Sequence, residues 1–357
     1  MSPAIVPAEI AQGPDAIRDT ITVARASARS AARHLRDAGV RRIHVIGNGT
    51  SYHSSLAAST LYGRHALADD PVVIPTTAGA FRTYPPDLRA DDAIVGISAS
   101  GEFRDVVGAA ESFRDRVPFV GIVHVPGSTL TRLATDLVLS GGGPSSVPVM
   151  TKTFSSTLVA TELVLLELLG PERADPVVAQ ILDAADHAAT VIAAADAMVD
   201  ELAQRLEGAE HLFVVGSGLA HVAALEAALK LKEMAIVHAE GTETWEMASG
   251  VSTIVGPGSV IVALAPAGPG RSATADVVRH AAEWGATVIE VGPEPLVAGS
   301  ALFPLPAAAL EDHAPLTSVP PIALLAYALA RRRGHDPDRP DWVARYHSQG
   351  LRHIVGV

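Results

Sequence analysis

Residues 44–59 read HVIGNGTSYHSSLAAS, an apolar run that ends at two glycines and continues into a cluster of hydroxyl side chains. The apolar run predicts a buried strand, and the glycine turn after it predicts the start of a helix. Backbone N–H groups at a helix start, joined by neighbouring hydroxyls, suit the binding of an anion. The stretch therefore predicts a strand–turn–helix unit that binds a negatively charged group.

The same strand and turn occur a second time. The stretch HVIGNGTS (44–51) matches FVVGSGLA (213–220), with glycines at the same two positions. The next strand and turn, AIVGISASGE (93–102), match VIVALAPAGP (260–269). A further strand and a long apolar helix continue the series: PFVGIVHV (118–125) with ATVIEVGP (286–293), and FSSTLVATELVLLELL (154–169) with PPIALLAYALARR (320–332). Four matches in the same order, each offset by about 165–169 residues, indicate two copies of one domain.

The strands of both copies are short and apolar without alternation, which is typical of parallel strands buried on both faces. We therefore predict an α/β protein whose sheets are covered by helices. Ligands of such sheets bind beyond the carboxyl ends of the strands, at helix N-termini. The predicted order is an N-terminal helical segment, a first domain, a helical linker, a second domain and a tail: residues 1–34, 35–170, 171–208, 209–334 and 335–357.

The composition excludes several functional classes. The formal net charge of −12 is spread along the 357 residues, which disfavours binding to nucleic acid. There is no cysteine, which excludes disulfides, thiolate catalysis and zinc–thiolate sites. The N-terminal region lacks the apolar core of a secretory signal, and no uncharged apolar run reaches the ~18 residues of a membrane span. We expect a cytoplasmic protein with no membrane partner.

A glycine turn after a strand also occurs in dinucleotide-binding proteins. The third glycine of their GxGxxG fingerprint is replaced by Tyr52 in the first copy and by His221 in the second. Neither turn has a well-placed acidic partner on a second strand. The sequence therefore disfavours a nicotinamide or flavin cofactor, and we expect no cofactor and no metal.

The turn SASGE, residues 98–102, directly follows the strand AIVGI. The hydroxyls of Ser98 and Ser100 and the N–H groups of this turn are expected to converge on one point. Several neutral donors and a helix dipole suit a phosphate monoester. The alternative is that Ser51, Ser98 and Ser100 only cap helices. Because both serine clusters follow strands of the same sheet, phosphate binding is the preferred interpretation.

The second copy lacks these hydroxyls and carries a different feature within residues 223–250. Glu226, Lys230 and Glu233 recur at i, i+4 and i+7, which places them on one face of a helix. Salt bridges on the protein surface are the usual interpretation of such spacing. The segment is otherwise apolar, however, and a glutamate on a largely buried helix is a plausible proton carrier near neutral pH. The sequence leaves both interpretations open.

These motifs together resemble tandem sugar isomerase (SIS) proteins. The resemblance rests on GTSY (49–52), SASGE (98–102), TKTF (151–154) and ALKLKEMAIVHAE (228–240), and it covers about residues 35–345. The family includes the isomerase half of glucosamine-6-phosphate synthase, phosphosugar deaminases and deglycases of glycated amino acids. The resemblance implies two SIS domains, each with a three-layer αβα, flavodoxin-like fold. It also implies a homodimer with active sites near the subunit interface.

The resemblance assigns roles to individual residues. Glu233 corresponds to the glutamate that moves a proton between C1 and C2 of the open-chain sugar. Lys230 corresponds to the lysine near the O1 and C1 end of that sugar. The phosphate-binding set of the family corresponds to Thr50, Ser51, Ser98 and Ser100. Gly49 and Ala99, in the same turns, are further expected substrate contacts.

The chain departs from the synthase at the sugar end. In EMASG (246–250), Ser249 stands in the place of the ring-opening histidine. Glu243 and Glu246 lie close by in sequence and are candidates to replace that histidine. His53, after the first glycine turn, is another candidate. Ring opening in the manner of the synthase is therefore in question.

Other positions differ as well. Arg345 stands where the synthase has a C-terminal lysine, and Phe103 stands where it has a threonine. Met150 replaces the serine that precedes Thr151. We include Met150, Thr151, Ser249 and Arg345 among the expected substrate contacts. The phosphate end of the site is mostly kept, whereas the sugar end is altered.

The sequence therefore predicts a phosphosugar isomerase or deaminase that acts on an amino-sugar phosphate similar to glucosamine 6-phosphate. Glu233, Lys230 and Glu246 are the predicted catalytic residues. Without cysteine, a glutaminase reaction through a cysteine nucleophile is not expected, so any C–N bond formation would use free ammonia. Two alternatives stay open, a non-catalytic protein that senses a sugar phosphate and a dinucleotide-dependent oxidoreductase.

Overall fold

The computed structural model describes residues 4–343. The first half of the chain contains α1 (Ile5–Ala11), α2 (Gly13–Asp37), β1 (Arg42–Gly47), α3 (Thr50–His65), β2 (Val72–Thr77), α4 (Ala78–Thr83), β3 (Asp92–Ile97), α5 (Arg104–Phe113), β4 (Phe119–Val123), α6 (Thr129–Leu133), β5 (Asp136–Leu139) and α7 (Lys152–Leu166). The second half contains α8 (Pro171–Asp196), α9 (Val199–Leu206), β6 (His211–Gly216), α10 (Gly218–Ala235), β7 (Ala239–Glu243), α11 (Thr244–Ser249), β8 (Ser259–Leu264), α12 (Arg271–Glu283), β9 (Thr287–Gly292), β10 (Ala301–Pro304) and α13 (Ala314–Arg332).

The first sheet has five strands in the order β2-β1-β3-β4-β5, and every pairing is parallel. This is the flavodoxin-like order, in which the direction of winding reverses between the first and third strands. Strands β1 and β3 are direct neighbours, with Ile46 opposite Gly96. The turns that follow these two strands therefore lie side by side at the switch point of the sheet.

The second sheet repeats this arrangement. Its order is β10-β9-β8-β6-β7, again with parallel pairing throughout. Read from β7, this is the same order as in the first sheet, with β6 and β8 at the switch point. Gly49 and Gly218, which lie at the starts of α3 and α10, share the same unusual backbone, with φ of 54° and 55°. The predicted duplication and the predicted fold class are both confirmed.

The strands lie in the hydrophobic core of each domain, because both faces of each sheet are covered. All six residues of β3 and of β8 are buried, as the unbroken apolar pattern predicts. In the first domain, Ile94, Val106 and Phe119 belong to one apolar cluster between the sheet and its helices. In the second domain, Phe213 and Ile261 belong to the corresponding cluster.

The described residues divide into two compact units. The first unit holds the first sheet and comprises residues 15–146, 152–182 and 341–343, whereas the second unit holds the second sheet and comprises residues 4–14, 147–151 and 183–340. Helix α1 thus groups with the second sheet. The carboxylate of Asp338 accepts hydrogen bonds from the backbone N–H groups of Ile5 and Val6, at 3.1 and 2.8 Å. These bonds satisfy donors at the start of α1 that have no partner within the helix.

The last helix begins earlier than the sequence suggests. The apolar pattern predicts a helix from Pro320, but α13 starts at Ala314 and runs through Pro320 and Pro321. Prolines inside a helix remove backbone hydrogen bonds. The helix continues because its apolar side chains are buried almost all round, so that tertiary packing outweighs the local preference.

Two helical stretches among the described residues have the length and hydropathy of a membrane span, Pro171–Asp196 and Glu311–Arg332. Buried core helices of globular proteins also have these properties. In the 18-residue apolar window of the second stretch, 89% of the residues are buried inside the protein, as expected of a core helix; in that of the first, 44% are buried.

Candidate functional site

The hydroxyl cluster of the first unit lies at the switch point of the first sheet. Thr50 and Ser51 are buried in the first turn of α3, directly after β1. Ser98 is buried at the end of β3, and Ser100 follows it in the same turn. Since β1 and β3 are neighbours, the structure places the two predicted hydroxyl clusters at one edge of one sheet.

The serines of the second turn also shape that turn. The Ser98 hydroxyl accepts hydrogen bonds from the N–H groups of Gly101 and Phe103, at 3.1 and 3.3 Å. The Ser100 hydroxyl accepts one from the N–H of Glu102, at 3.2 Å. A hydroxyl that accepts in this way keeps its own O–H for donation. The two serines therefore stabilise the turn before α5, and within residues 4–343 no side chain caps α3 or α5. This role in the turn is compatible with donation to a ligand.

The turn depends on a glycine at position 101. Gly101 has φ of 69°, in the left-handed region that favours glycine. A Cβ atom at this position would lie 1.9 Å from the hydroxyl oxygen of Ser128. The buried Ser128 was not among the predicted site residues. It comes from the loop after β4, and nothing in the local sequence signals its approach to this turn.

Glu102 connects the same turn to α6. Its carboxylate accepts a hydrogen bond of 2.7 Å from the backbone N–H of Thr129, at the start of α6. This backbone bond, and then the side chain of Thr129, hold the pKa of Glu102 below its ordinary value. Glu102 thus acts as an anchor between the turn after β3 and the loop after β4.

In the second unit, α10 carries three charged residues on one face. The ammonium nitrogen of Lys230 lies 3.1 Å from a carboxylate oxygen of Glu226 and 2.6 Å from one of Glu233. The side chains of Glu226 and Lys230 are 0% and 1% exposed. The predicted common face is confirmed. The interpretation as salt bridges on the protein surface is wrong, because the central pair is completely buried.

The buried position of Lys230 has two opposing effects on its charge. Burial favours the neutral amine and lowers its pKa, whereas the carboxylates of Glu226 and Glu233 favour the ammonium and raise it. The net result is a raised pKa. Lys230 therefore remains a cation at neutral pH, held between two carboxylates.

Glu233 differs from its two partners in being accessible. Its side chain is 27% exposed, and one carboxylate oxygen bonds to Lys230. The carboxylate of Glu226, by contrast, is completely buried. The arrangement is a buried ion pair that orients a third carboxylate, which itself reaches solvent.

The segment that replaces the family histidine forms α11. Glu243 precedes this helix and accepts hydrogen bonds from the N–H groups of Trp245 and Glu246, at 2.5 and 3.3 Å. Glu243 is thus an N-cap. Glu246 and Ser249 lie on the exposed surface of the helix, and the Ser249 hydroxyl donates to the carbonyl of Trp245 at 2.8 Å.

The other predicted site residues lie in different parts of the chain. Met150 and Thr151 are half-buried and belong to the second unit, where the Thr151 hydroxyl donates to Glu9 at 3.4 Å. His53 is half-buried on the first turn of α3. Arg345 lies outside the described residues. The phosphate turns thus belong to the first unit, and the candidate acid–base residues belong to the second.

Comparison with known proteins identifies the family of this chain. Residues 34–167 and 205–326 match the SIS domain family. A glutamine–fructose-6-phosphate aminotransferase (isomerizing) from Pyrococcus horikoshii is 31% identical over 344 residues, covering 94% of this chain and 56% of that protein. The chain therefore spans about half the length of the curated relatives it matches.

Solved structures show the same fold. The C-terminal domain of glucosamine-fructose-6-phosphate aminotransferase from Francisella tularensis has a TM-score of 0.85 at 22% identity, covering 94% of this chain and 98% of that one. A glucosamine-6-phosphate deaminase from Thermotoga maritima has a TM-score of 0.67 at 21% identity, covering 92% and 97%. Because the family match covers most of the sequence in two separate segments, this chain belongs to the SIS domain family and carries the domain twice.

Proposed function

We propose that this protein is a phosphosugar isomerase or deaminase acting on an amino-sugar phosphate similar to glucosamine 6-phosphate. The observation that carries the proposal is the buried Glu226–Lys230 pair, which holds the partly exposed carboxylate of Glu233. A buried ion pair is costly to desolvate, so its use to orient one accessible carboxylate supports a chemical role for that carboxylate. The names of the relatives, an isomerizing aminotransferase and a deaminase, support the same class of substrate.

The phosphate of the substrate is assigned to the turns after β1 and β3. Ser51, Ser98 and Ser100 supply hydroxyl donors, and the helix start at Thr50 supplies backbone N–H groups. Neutral donors and helix dipoles bind a phosphate dianion without a cluster of basic residues. Gly49 and Ala99 lie in the same turns, where small residues leave the backbone accessible.

The proton transfer is assigned to Glu233. Its carboxylate takes the proton from the carbon next to the carbonyl or iminium group, and the electron pair moves to form an enediol or enolamine. Return of the proton to the neighbouring carbon completes the shift between C1 and C2. General acid–base catalysis of this kind accelerates a reaction by about 10²–10⁴. Lys230 is assigned to orient Glu233, since its buried ammonium bonds directly to that carboxylate.

The fate of the nitrogen depends on the substrate. Where the proton shift produces an iminium group, addition of water breaks the C–N bond and releases ammonia or an amine. The reverse sequence forms the C–N bond from free ammonia and loses water. Glu246, on the exposed face of α11, and His53, on the first turn of α3, are the candidates for opening the sugar ring. We further propose a homodimer in the cytoplasm, with Met150, Thr151 and Arg345 among the substrate contacts.

A second candidate function is a sensor that binds a sugar phosphate without turnover. The observation that favours it is Ser249, which stands where the resemblance places a histidine and whose hydroxyl is bonded to the backbone of its own helix. A sensor of this kind would keep the phosphate turns and have no use for Glu233.

One experiment separates these functions. The full chain is incubated with glucose, fructose and glucosamine 6-phosphates, with and without ammonium, while ammonia release and aldose–ketose interconversion are assayed together. Glu233→Gln is expected to lower kcat by about 10²–10⁴ while the Kd for the sugar phosphate changes little. Glu283→Gln, which changes an exposed carboxylate at the end of α12, is the matched control and should behave as the unmodified protein.

The binding half of the proposal has its own variant. Ser98→Ala should weaken binding of the sugar phosphate by about tenfold to a hundredfold, as expected for a lost hydrogen bond to a charged group. Binding of the phosphate ester without turnover in the unmodified protein would identify a sensor. No binding of any phosphate ester tested would contradict both functions.

A further inference from the structure

At the switch point of the second sheet lies a side chain of the protein itself, that of Glu311. Glu311 lies in the short 3-10 turn Glu311–His313, just before α13, and its side chain is buried. One of its carboxylate oxygens accepts a hydrogen bond of 2.8 Å from the backbone N–H of Gly270, the residue before α12. The carboxylate therefore lies at the start of the helix that follows β8.

The other carboxylate oxygen reaches the helix that follows β6. A Cβ atom added to Gly218, the first residue of α10, would lie 2.3 Å from this oxygen. The carboxylate oxygen that accepts from Gly270 is also close to two glycines. A Cβ atom on Gly268 would lie 2.5 Å from this oxygen, and a Cβ atom on Gly270 would lie 3.0 Å from it. Three glycines thus enclose the carboxylate, and a side chain at Gly218 or Gly268 would force it to move.

The backbone holds Glu311 in this position. The N–H of Glu311 donates to the carbonyl of Ala267 at 2.8 Å, and the N–H of Ala267 donates to the carbonyl of Ala309 at 3.1 Å. Residues 309–311 therefore run beside the turn after β8. The carboxylate is positioned by ordered backbone on both sides and is part of the folded domain.

The duplication places this carboxylate where the first domain has its phosphate turns. Gly218 corresponds to Gly49, and Gly268 corresponds to Gly101, by the matches of residues 213–220 and 260–269. The hydroxyl donors of the first domain are replaced by apolar residues at the corresponding positions: Ala220 for Ser51, Ala265 for Ser98 and Ala267 for Ser100. The glycines and the helix starts are kept, whereas these three hydroxyls are absent. The hydroxyl oxygen of Ser217, in the turn after β6, lies 3.0 Å from where a Cβ atom on Gly270 would be.

We propose that Glu311 is a built-in anion that fills a second, latent anion site, so that each chain offers one site for a phosphorylated sugar. The inference rests on the proposed function in one respect, namely that the corresponding turns of the first domain bind phosphate. Helix N-termini stabilise a negative charge, and a buried carboxylate requires hydrogen-bond donors such as the N–H of Gly270. Removal of Glu311 leaves a space lined by these donors, which an anion of the size of phosphate can enter.

The test compares Glu311→Ala with Glu311→Gln by thermal unfolding of the full chain. Both variants should have a lower Tm than the unmodified protein, because each removes the negative charge from the two helix starts. Inorganic phosphate should raise the Tm of Glu311→Ala by about 3 °C or more beyond its effect on the unmodified protein. It should have no such extra effect on Glu311→Gln, whose amide still fills the space. Sodium chloride at equal ionic strength controls for screening.

Glu290→Ala is the matched control for general stabilisation by phosphate. Glu290 is also a buried glutamate of the second unit, but its carboxylate accepts hydrogen bonds from the loop residues Leu296, Val297 and Ser300. An equal response of Glu290→Ala and Glu311→Ala to phosphate would overturn the proposal. A Tm of Glu311→Gln equal to that of the unmodified protein would also overturn it, and this measurement stands even where Glu311→Ala does not fold.

Failure of the latent-site proposal can be distinguished from failure of the proposed function, because the two are measured with different ligands on different proteins. Sugar-phosphate binding and turnover are measured on the unmodified chain, whereas the latent site is measured with inorganic phosphate on the variants. Suppose that the unmodified chain binds no sugar phosphate but phosphate raises the Tm of Glu311→Ala. The proposed function would then be rejected, whereas the proposal of a latent site in the second domain would stand.

Discussion

The ammonium of Lys230 lies 3.1 Å from the carboxylate of Glu226, and both side chains are excluded from solvent in the middle of the second domain. Glu233 completes the group from the next turn of the same helix. Each buried charge depends on its neighbour, because an isolated charge in a protein interior carries a large desolvation penalty. This dependence gives the first prediction.

Lys230→Met should destabilise the protein by about 3–5 kcal/mol, because it leaves the Glu226 carboxylate buried without its cation. Urea unfolding measures the change. Lys232→Met makes the same substitution at an exposed position of the same helix and should change stability by less than about 0.5 kcal/mol.

The double variant Glu226→Met, Lys230→Met should recover much of the stability lost by Lys230→Met, since it removes both buried charges together. Equal stability of the single and double variants would show that the buried pair does not account for the loss.

The turn after β3 gives a second prediction. Gly101→Ala should destabilise the protein more than Gly127→Ala, and it should weaken sugar-phosphate binding. Both glycines have positive φ, 69° and 78°, so both variants carry the left-handed penalty of about 1–2 kcal/mol. Only at Gly101 does the added Cβ meet a neighbour, the Ser128 hydroxyl at 1.9 Å, whereas no atom lies within 4 Å at Gly127. We expect a difference of about 1–3 kcal/mol in urea unfolding, and equal losses would contradict it.

A buried glutamate of the first domain gives a third prediction. Glu162 lies on α7, and within the described part of the chain its Oε2 has no hydrogen-bond partner. Burial raises the pKa of Glu162 to about 8, from an ordinary value of 4.5. The native state therefore keeps this proton up to about pH 8, while the unfolded chain releases it near pH 4.5.

Because the native state binds more protons than the unfolded state between these two values, stability should fall as the pH rises through this window. The loss attributable to Glu162 is complete above about pH 8 and amounts to at most about 5 kcal/mol. Urea unfolding at pH 5 and pH 8 measures it. Glu162→Gln should remove most of this slope, whereas Glu172→Gln, at an exposed position on α8, should keep it. An unchanged slope in Glu162→Gln would assign the pH dependence to other groups.

Much of the architecture follows from local sequence patterns. Short apolar runs that end in glycine turns predict parallel strands followed by helices, because a strand buried on both faces has no polar alternation and a tight turn favours glycine. The recurrence of these patterns at a constant offset predicts the duplication, and both sheets have the expected strand order. The adjacency of the two hydroxyl clusters follows from the same logic, since the ends of neighbouring parallel strands share one edge. The domain boundaries and the ligand contacts, including Arg345, stay predictions.

The burial of charge could not be deduced from sequence. The spacing of Glu226, Lys230 and Glu233 is the same for a solvated face and for a buried one. Helix α10 packs on β6 and β7 and on α13, which comes from a distant part of the chain. Glu311 likewise reaches the glycines of the second switch point from a distant part of the chain. Spacing along a chain sets which side chains share a face, but burial and the filling of a site depend on which distant segments cover that face, and these contacts form only when the domain folds.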